Sequence, residues 1–232
     1  MPITRYLADT LSLGNLACGV AAIAAAAHGR YDLSLLLMMG GATLDAFDGL
    51  AARRFGSSPW GPLSDDIADG VTNGLAPAAV LGFAIGGIQG VVVGALFALF
   101  VVMRLVLFTL DIGEGDPAWF RGLPSPAGAV IVLSAAVLFP HSPALLGLAA
   151  GASALAMVSF SERWRHGART VLANKKARYA VIALVGAMLV SGFFTGMTGP
   201  AALMLAASLG YLLQPSFSAL KEAVLKRRKR LA

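Results

Sequence analysis

The chain predicts an all-α, polytopic transmembrane helix bundle, and three observations carry that prediction. Of its 232 residues 57% are hydrophobic and only 13% charged, with a mean hydropathy of +0.76, too apolar for a water-soluble domain of this length. Two stretches, residues 70–103 and 179–220, contain no Lys, Arg, Asp or Glu, and each exceeds the roughly 20 residues a helix needs to cross about 30 Å of hydrocarbon. The basic residues gather in a few connectors and at the chain ends rather than being spread through the sequence.

Eight spans follow, at about 9–29, 33–54, 62–86, 89–110, 125–140, 143–161, 178–196 and 199–216. The first is read as a span rather than a cleaved leader because further spans follow it. Its end is marked by Arg30-Tyr31-Asp32, and the second span runs to Arg53-Arg54 before the Ser57-Ser58-Pro59 turn. Gly86-Gly87 divides the third from the fourth, the polar segment from Asp111 to Pro124 leads to the fifth, and Pro140-His141-Ser142-Pro143 separates the fifth from the sixth. A connector from Glu162 to Arg178 holds six cations against one acid, and Gly196 to Pro200 divides the last two spans. Spans six and eight are short or interrupted, so the bundle is read as six core spans plus two. Residues 1–216 form one membrane domain, and 217–232 a basic tail with six cations against Glu222.

Basic residues precede the first span (Arg5) and follow the second, fourth, sixth and eighth, leaving only Arg30 on the other side. The positive-inside rule therefore places both termini in the cytoplasm. Beside an apolar helix the basic tail suits anionic lipid headgroups rather than nucleic acid. Cys18 is the single cysteine, which excludes an intrachain disulfide and a thiolate metal cluster. Gly82, Gly86, Gly90 and Gly94 recur at every fourth position, a spacing that serves close helix packing, within the chain or across a dimer, or a turn at Gly86-Gly87.

Five of the twelve acids, Asp45, Asp48, Asp65, Asp66 and Asp69, fall between Leu44 and Val71. Ionisable groups in membrane-grade sequence are costly, and function is the default explanation. Asp45 and Asp48 are three apart and Asp65 and Asp69 four apart, so each pair shares one face of its helix. Asp66 points away and is read as hydrated. The second pair begins where the first ends, so four carboxylates converge just below one membrane surface. Gly49 and Ala52 leave no bulk beside them, and Arg53 lies one turn on. Oxygen ligands without His or Cys favour Mg²⁺, Mn²⁺ or Ca²⁺ over Zn²⁺, and two such ions would suit a phosphate or pyrophosphate partner. A helix-capping or ion-paired role and a cation-coupled relay are the alternatives.

These residues carry a resemblance. Asp45, Asp48, Gly49, Ala52, Arg53, Gly61, Asp65 and Asp69 match all eight positions of the CDP-alcohol phosphotransferase signature, D-x2-D-G-x2-A-R-x8-G-x3-D-x3-D, with a spacer of seven rather than eight before Gly61. The resemblance implies that Asp45, Asp48, Asp65 and Asp69 hold two divalent cations, that Asp69 is also the base, and that Gly49, Ala52, Arg53 and Gly61 contact nucleotide and phosphates. It implies transfer of a phosphatidyl group from CDP-diacylglycerol to an alcohol with release of CMP.

Outside the signature the chain is similar to the CDP-diacylglycerol–serine branch. Leu11 to Gly19 resembles its T-x-x-N-x-x-x-G first helix, which makes Asn15 a nucleotide or acceptor contact or an interhelical hydrogen bond. Ile67-Ala68-Asp69 followed by Gly74-Leu75-Ala76-Pro77-Ala78 resembles another of its runs, with Asn73 where that branch has Phe. Arg104 to Phe108 and Phe120 to Ala127 resemble R-L-x-R-F and F-x-G-L-P-S-P-A, with Leu107 in place of the second Arg. The implied acceptor is L-serine, with Arg104 pairing with its carboxylate and Ser125 or an acid holding its ammonium. Glycerol 3-phosphate and an inositol phosphate are the alternatives within the class, and a cation-coupled transporter the alternative outside it. The resemblance further implies a homodimer in a prokaryotic cytoplasmic membrane, with the active site facing the cytoplasm.

Overall fold

The computed structural model describes residues 6–56, 58–110, 119–159, 163–165 and 174–216. Among these, eight helices follow one another: α1 Tyr6–Ala27, α2 Tyr31–Phe55, α3 Gly61–Ile85, α4 Gly87–Leu110, α5 Ser125–Leu138, α6 Pro143–Met157, α7 Lys175–Thr195 and α8 Thr198–Leu212. Short turns join α1 to α2, α3 to α4, α5 to α6 and α7 to α8. The basic tail, most of the Glu162–Arg178 connector and the acidic part of the Asp111–Pro124 connector lie outside the described residues.

Five helices, α1 to α4 and α7, are long and apolar enough to cross a membrane. The other three are shorter than the expected spans. Helix α5 has 14 residues and α6 and α8 have 15 each, which at 1.5 Å per residue is about 21–23 Å, less than a hydrocarbon core. Prolines set two of these starts: Pro126 and Pro143 sit in the first turns, where a missing N–H costs nothing.

Helix α5 is the centre of the bundle. All six residues from Ile131 to Ala136 are buried, the mark of a helix enclosed on every side. It packs against α2, α6 and α8, and α8 contributes Ala201 and Met204 to the same core. Helix α7, by contrast, buries none of its residues within the chain, and its Ile182, Leu189 and Phe193 stand exposed.

Two glycine devices set helix spacing. Gly86 and Gly87 form the α3–α4 turn with φ of 75° and 57°, and φ 75°, ψ 168° at Gly86 is a region essentially reserved for glycine. A Cβ at Gly90 would stand 2.5 Å from the Gly82 carbonyl oxygen, and one at Gly94 would collide with the Ala78 carbonyl. The every-fourth glycine stripe is thus used inside the α3–α4 hairpin.

A short antiparallel ribbon crosses the ends of these helices. β1 (Trp119–Arg121) pairs with β2 (Arg163–Arg165), with Arg121 opposite Arg163. Trp164 is fully buried in the core. Gly122, at φ 76°, abuts the Met157 carbonyl, and the Leu123 N–H donates to the Ala156 carbonyl at 2.9 Å. The chain entering α5 is in this way fastened to the end of α6.

Candidate active site

Helix α2 ends at Gly56 and α3 begins at Gly61. Ser58 closes the turn: its carbonyl accepts from the Gly61 N–H at 3.1 Å and its Oγ from the Trp60 N–H at 3.1 Å. The Gly61 carbonyl then accepts from Ser64 Oγ at 2.9 Å. The buried Gly61 therefore marks the corner between the two acid-bearing helices.

Asp45, Asp48 and Asp65 each bring one carboxylate oxygen to within 4.8 Å of the others. Asp45 and Asp65 lie within hydrogen-bonding reach of each other. Asp48 is buried and accepts a hydrogen bond from Ser12 Oγ of α1 at 2.9 Å. Asp65 Oδ1 is buried and has no hydrogen-bond partner among the described residues. Three carboxylates at such spacing, all oxygen donors, suit a hard divalent cation better than zinc. The chain can hold a metal ion here.

Asp69 lies just outside that trio, close enough to Asp45, Asp48 and Asp65 to feel their charge. Two amides hold it. Asn73 Nδ2 donates to Asp69 Oδ1 at 3.0 Å, and Asn15 Nδ2 reaches the same oxygen at 3.5 Å. Asn15 thus makes an interhelical contact from α1 to α3. The exposed Asp66 stands apart.

The backbone beneath Asp69 is unusual. From Gly70 to Leu75 the helix widens to a π turn, with the Ala76 N–H donating to the Val71 carbonyl. Pro77 supplies the reason: it has no N–H for the Asn73 carbonyl, and its ring would press on that carbonyl in a regular α-helix. Helix α1 approaches this turn closely. Thr72 Oγ1 donates to the Asn15 carbonyl at 3.1 Å, and a Cβ at Gly19 would stand 2.6 Å from Thr72 Oγ1. On α2, a Cβ at Gly41 would stand 2.5 Å from Asn15 Oδ1. Only hydrogens at Gly19 and Gly41 leave room for this three-helix junction.

The remaining expected residues surround the acids. The Arg53 guanidinium folds back over Gly49, at van der Waals distance, 3.5 Å, from where a Cβ would be. Ala52 is half-buried on the same helix. Arg104 of α4 is buried, near enough to Asp69 and to Tyr211 of α8 for charge interaction. Ser125 is buried at the first position of α5, a helix that packs on α2 and on the π turn.

Sequence reasoning overlooked Ser12, Thr72 and Tyr211, and noted Asn73 only as a departure. The four-residue step from Asp69 to Asn73 was a readable signal, since it places the two side chains on one helix face. Tyr211 gave none.

Comparison with known proteins joins this geometry to a family. The model of the CDP-alcohol phosphatidyltransferase family matches residues 5–161, which contain the whole acid cluster. The chain belongs to the CDP-alcohol phosphatidyltransferase family. Several curated relatives carry the name CDP-diacylglycerol–serine O-phosphatidyltransferase. The protein from Helicobacter pylori strain J99 is 33% identical over 144 residues, 60% of this chain and 61% of the relative. That from Bacillus subtilis strain 168 is 29% identical over 161 residues, 67% of this chain and 88% of the relative. The archaeal protein from Methanocaldococcus jannaschii is 30% identical over 128 residues, 55% of this chain and 58% of the relative. The chain thus spans about three fifths of the length of the Helicobacter relative. Family membership supports a transferase and gives no support to a transporter. Helices α7 and α8 lie beyond the matched residues.

Proposed function

We propose that this protein transfers a phosphatidyl group from CDP-diacylglycerol to L-serine, forming phosphatidylserine and CMP. The observation that carries the reading is the convergence of Asp45, Asp48 and Asp65 beside Asp69 within a chain that matches the family over residues 5–161. The names borne by its relatives support the donor and the acceptor.

In the proposed reaction the serine hydroxyl oxygen attacks the lipid-side phosphorus of CDP-diacylglycerol. A phosphorus–oxygen bond forms there, the bond to the CMP oxygen breaks, and CMP leaves with the electron pair. Asp69 takes the hydroxyl proton and later returns it to water. Asp45, Asp48 and Asp65, with Asp69 as fourth ligand, would hold two Mg²⁺ or Mn²⁺ ions, with Ca²⁺ as the further candidate. When bound, such ions neutralise the pyrophosphate and the charge that develops on the leaving phosphate. Arg53, laid along Gly49, meets the phosphates, while Gly49, Ala52 and Gly61 leave the cytidine side unobstructed. Arg104 pairs with the serine carboxylate and Ser125 accepts from its ammonium.

The site faces the cytoplasm of a prokaryotic cell in this reading, because Arg53 and Arg54 stand at its end of α2 while the far end carries Arg30, already bonded to Asp32. Residues 1–216 act as one membrane domain of eight membrane-embedded helices, since α8 packs into the α5 core and brings Tyr211 to Arg104. Both termini then lie in the cytoplasm.

The test is CMP release by the purified chain from CDP-diacylglycerol with serine, glycerol 3-phosphate or an inositol phosphate offered separately. Release with serine and its loss on EDTA treatment, restored by Mg²⁺ or Mn²⁺, are expected. No CMP with any acceptor overturns the transferase reading, and release with glycerol 3-phosphate alone overturns serine. Arg104→Lys is expected to raise the KM for serine about tenfold, because an ammonium cannot form the two-pronged carboxylate pair, with the KM for CDP-diacylglycerol little changed. Equal rises in both constants would remove Arg104 from the acceptor site.

A further inference from the structure

Two buried amides converge on a single carboxylate oxygen. Asn73 is 3% exposed and Asn15 1%, and both donate to Asp69 Oδ1. A carboxylate oxygen offers two lone-pair sites; Asn73 fills one at 3.0 Å, and Asn15 stands at the outer limit of hydrogen bonding, 3.5 Å from the same oxygen. The two amides are also tied to one another, because Thr72, next to Asn73 on the π turn, is hydrogen-bonded to the Asn15 backbone carbonyl. Pro77 fixes the turn from below, and the glycines at 19 and 41 close it from the side.

We propose that Asn73 is a positioning residue for Asp69: with Asn15 beside it, it engages one carboxylate oxygen, fixes the side-chain rotation, and leaves the other oxygen to accept the proton or bind a further ligand. This rests on the reading of Asp69 as the proton acceptor. It concerns a residue outside the family signature. A residue without a side-chain donor at position 73 would leave Asp69 Oδ1 without its shorter hydrogen bond. Loss of that grip frees the carboxylate to rotate, and displacement of a reacting group by about 1 Å can cost on the order of a hundredfold in rate.

The experiment uses the full chain with CDP-diacylglycerol and serine, comparing wild type with Asn73→Ala, Asn73→Leu and Asn73→Gln. A 30- to 100-fold fall in kcat is expected for Ala and Leu, roughly the scale of a misplaced catalytic group. The KM for CDP-diacylglycerol and the Mn²⁺ affinity read by electron paramagnetic resonance should stay within about twofold. Asn73→Gln, which keeps the donor, should recover about tenfold over Ala. The infrared carboxylate bands of Asp69, isolated as wild type minus Asp69→Asn, should shift in Asn73→Leu. Wild-type kcat in both Ala and Leu, a Gln variant no better than Ala, unshifted bands, or losses of Mn²⁺ affinity parallel to those of kcat would each overturn the proposal. Unfolding of all three variants would assign Asn73 to the scaffold and overturn it too. Failure of the phosphatidyl-transfer reading is distinguishable: wild type would then release no CMP with any acceptor, while the infrared comparison would still report whether Asn73 orients Asp69.

Discussion

Asp69→Asn is expected to cut CMP release at least about a thousandfold, the upper part of the range for a lost general base, with the folded protein intact. The reason for the intact fold is local. An asparagine at 69 keeps the size of the aspartate and still offers an Oδ1 to the amides of Asn15 and Asn73. What it loses is the ability to take a proton. Asp48→Asn makes the contrasting case. Asp48 belongs to the three-carboxylate group and is buried against Ser12, so its neutralisation should lower both turnover and Mn²⁺ affinity. Asp69 sits beyond that group, and its neutralisation should weaken Mn²⁺ binding much less than it weakens turnover. Measuring CMP release and Mn²⁺ binding on the two variants separates the roles. Near-wild-type turnover in Asp69→Asn would remove it as the base, and equal loss of Mn²⁺ in both variants would give it the same weight as Asp48 in holding the ions.

The same residues show what a sequence can and cannot convey here. Charge-free stretches identify membrane helices because the cost of burying charge in hydrocarbon is large and local. The acids are legible for the same reason, and their spacing places them on helix faces without further information. Their meeting is a matter of helix separation, which Gly19, Gly41 and Thr72 control through contacts between residues more than twenty apart in sequence. Pro77 is visible in the sequence as a disturbance, but the sequence does not say whether the helix breaks, kinks or widens. It widens, since α1 packs against the turn and holds it in place. Tyr211 approaches Arg104 only through the docking of α8 on α5, and no local pattern encodes that. The ends of the short helices are less legible, because apolar residues such as Phe139 and Val158 continue one position past the last helical residue.

Gly94→Leu is expected to destabilise the protein by about 3 kcal/mol or more, the upper end for overpacking a filled interior, and to lower its thermal unfolding temperature in detergent accordingly. A side chain there collides with the Ala78 carbonyl, and one at Gly90 stands 2.5 Å from the Gly82 carbonyl. These obstacles are backbone, which no rotamer change can move aside, so the α3–α4 hairpin must open. Gly151→Leu supplies the control: nothing lies within 4 Å of a Cβ at that position, and its unfolding temperature should match wild type. Equal stability of the two variants would show that the hairpin tolerates separation. The consequence reaches the site, because α3 carries Asp69 while α4 carries Arg104, buried and within charge interaction of it. Helix separation at the glycines therefore sets how closely the buried cation approaches the carboxylates, and milder variants such as Gly90→Ala should reduce turnover even where the protein still folds.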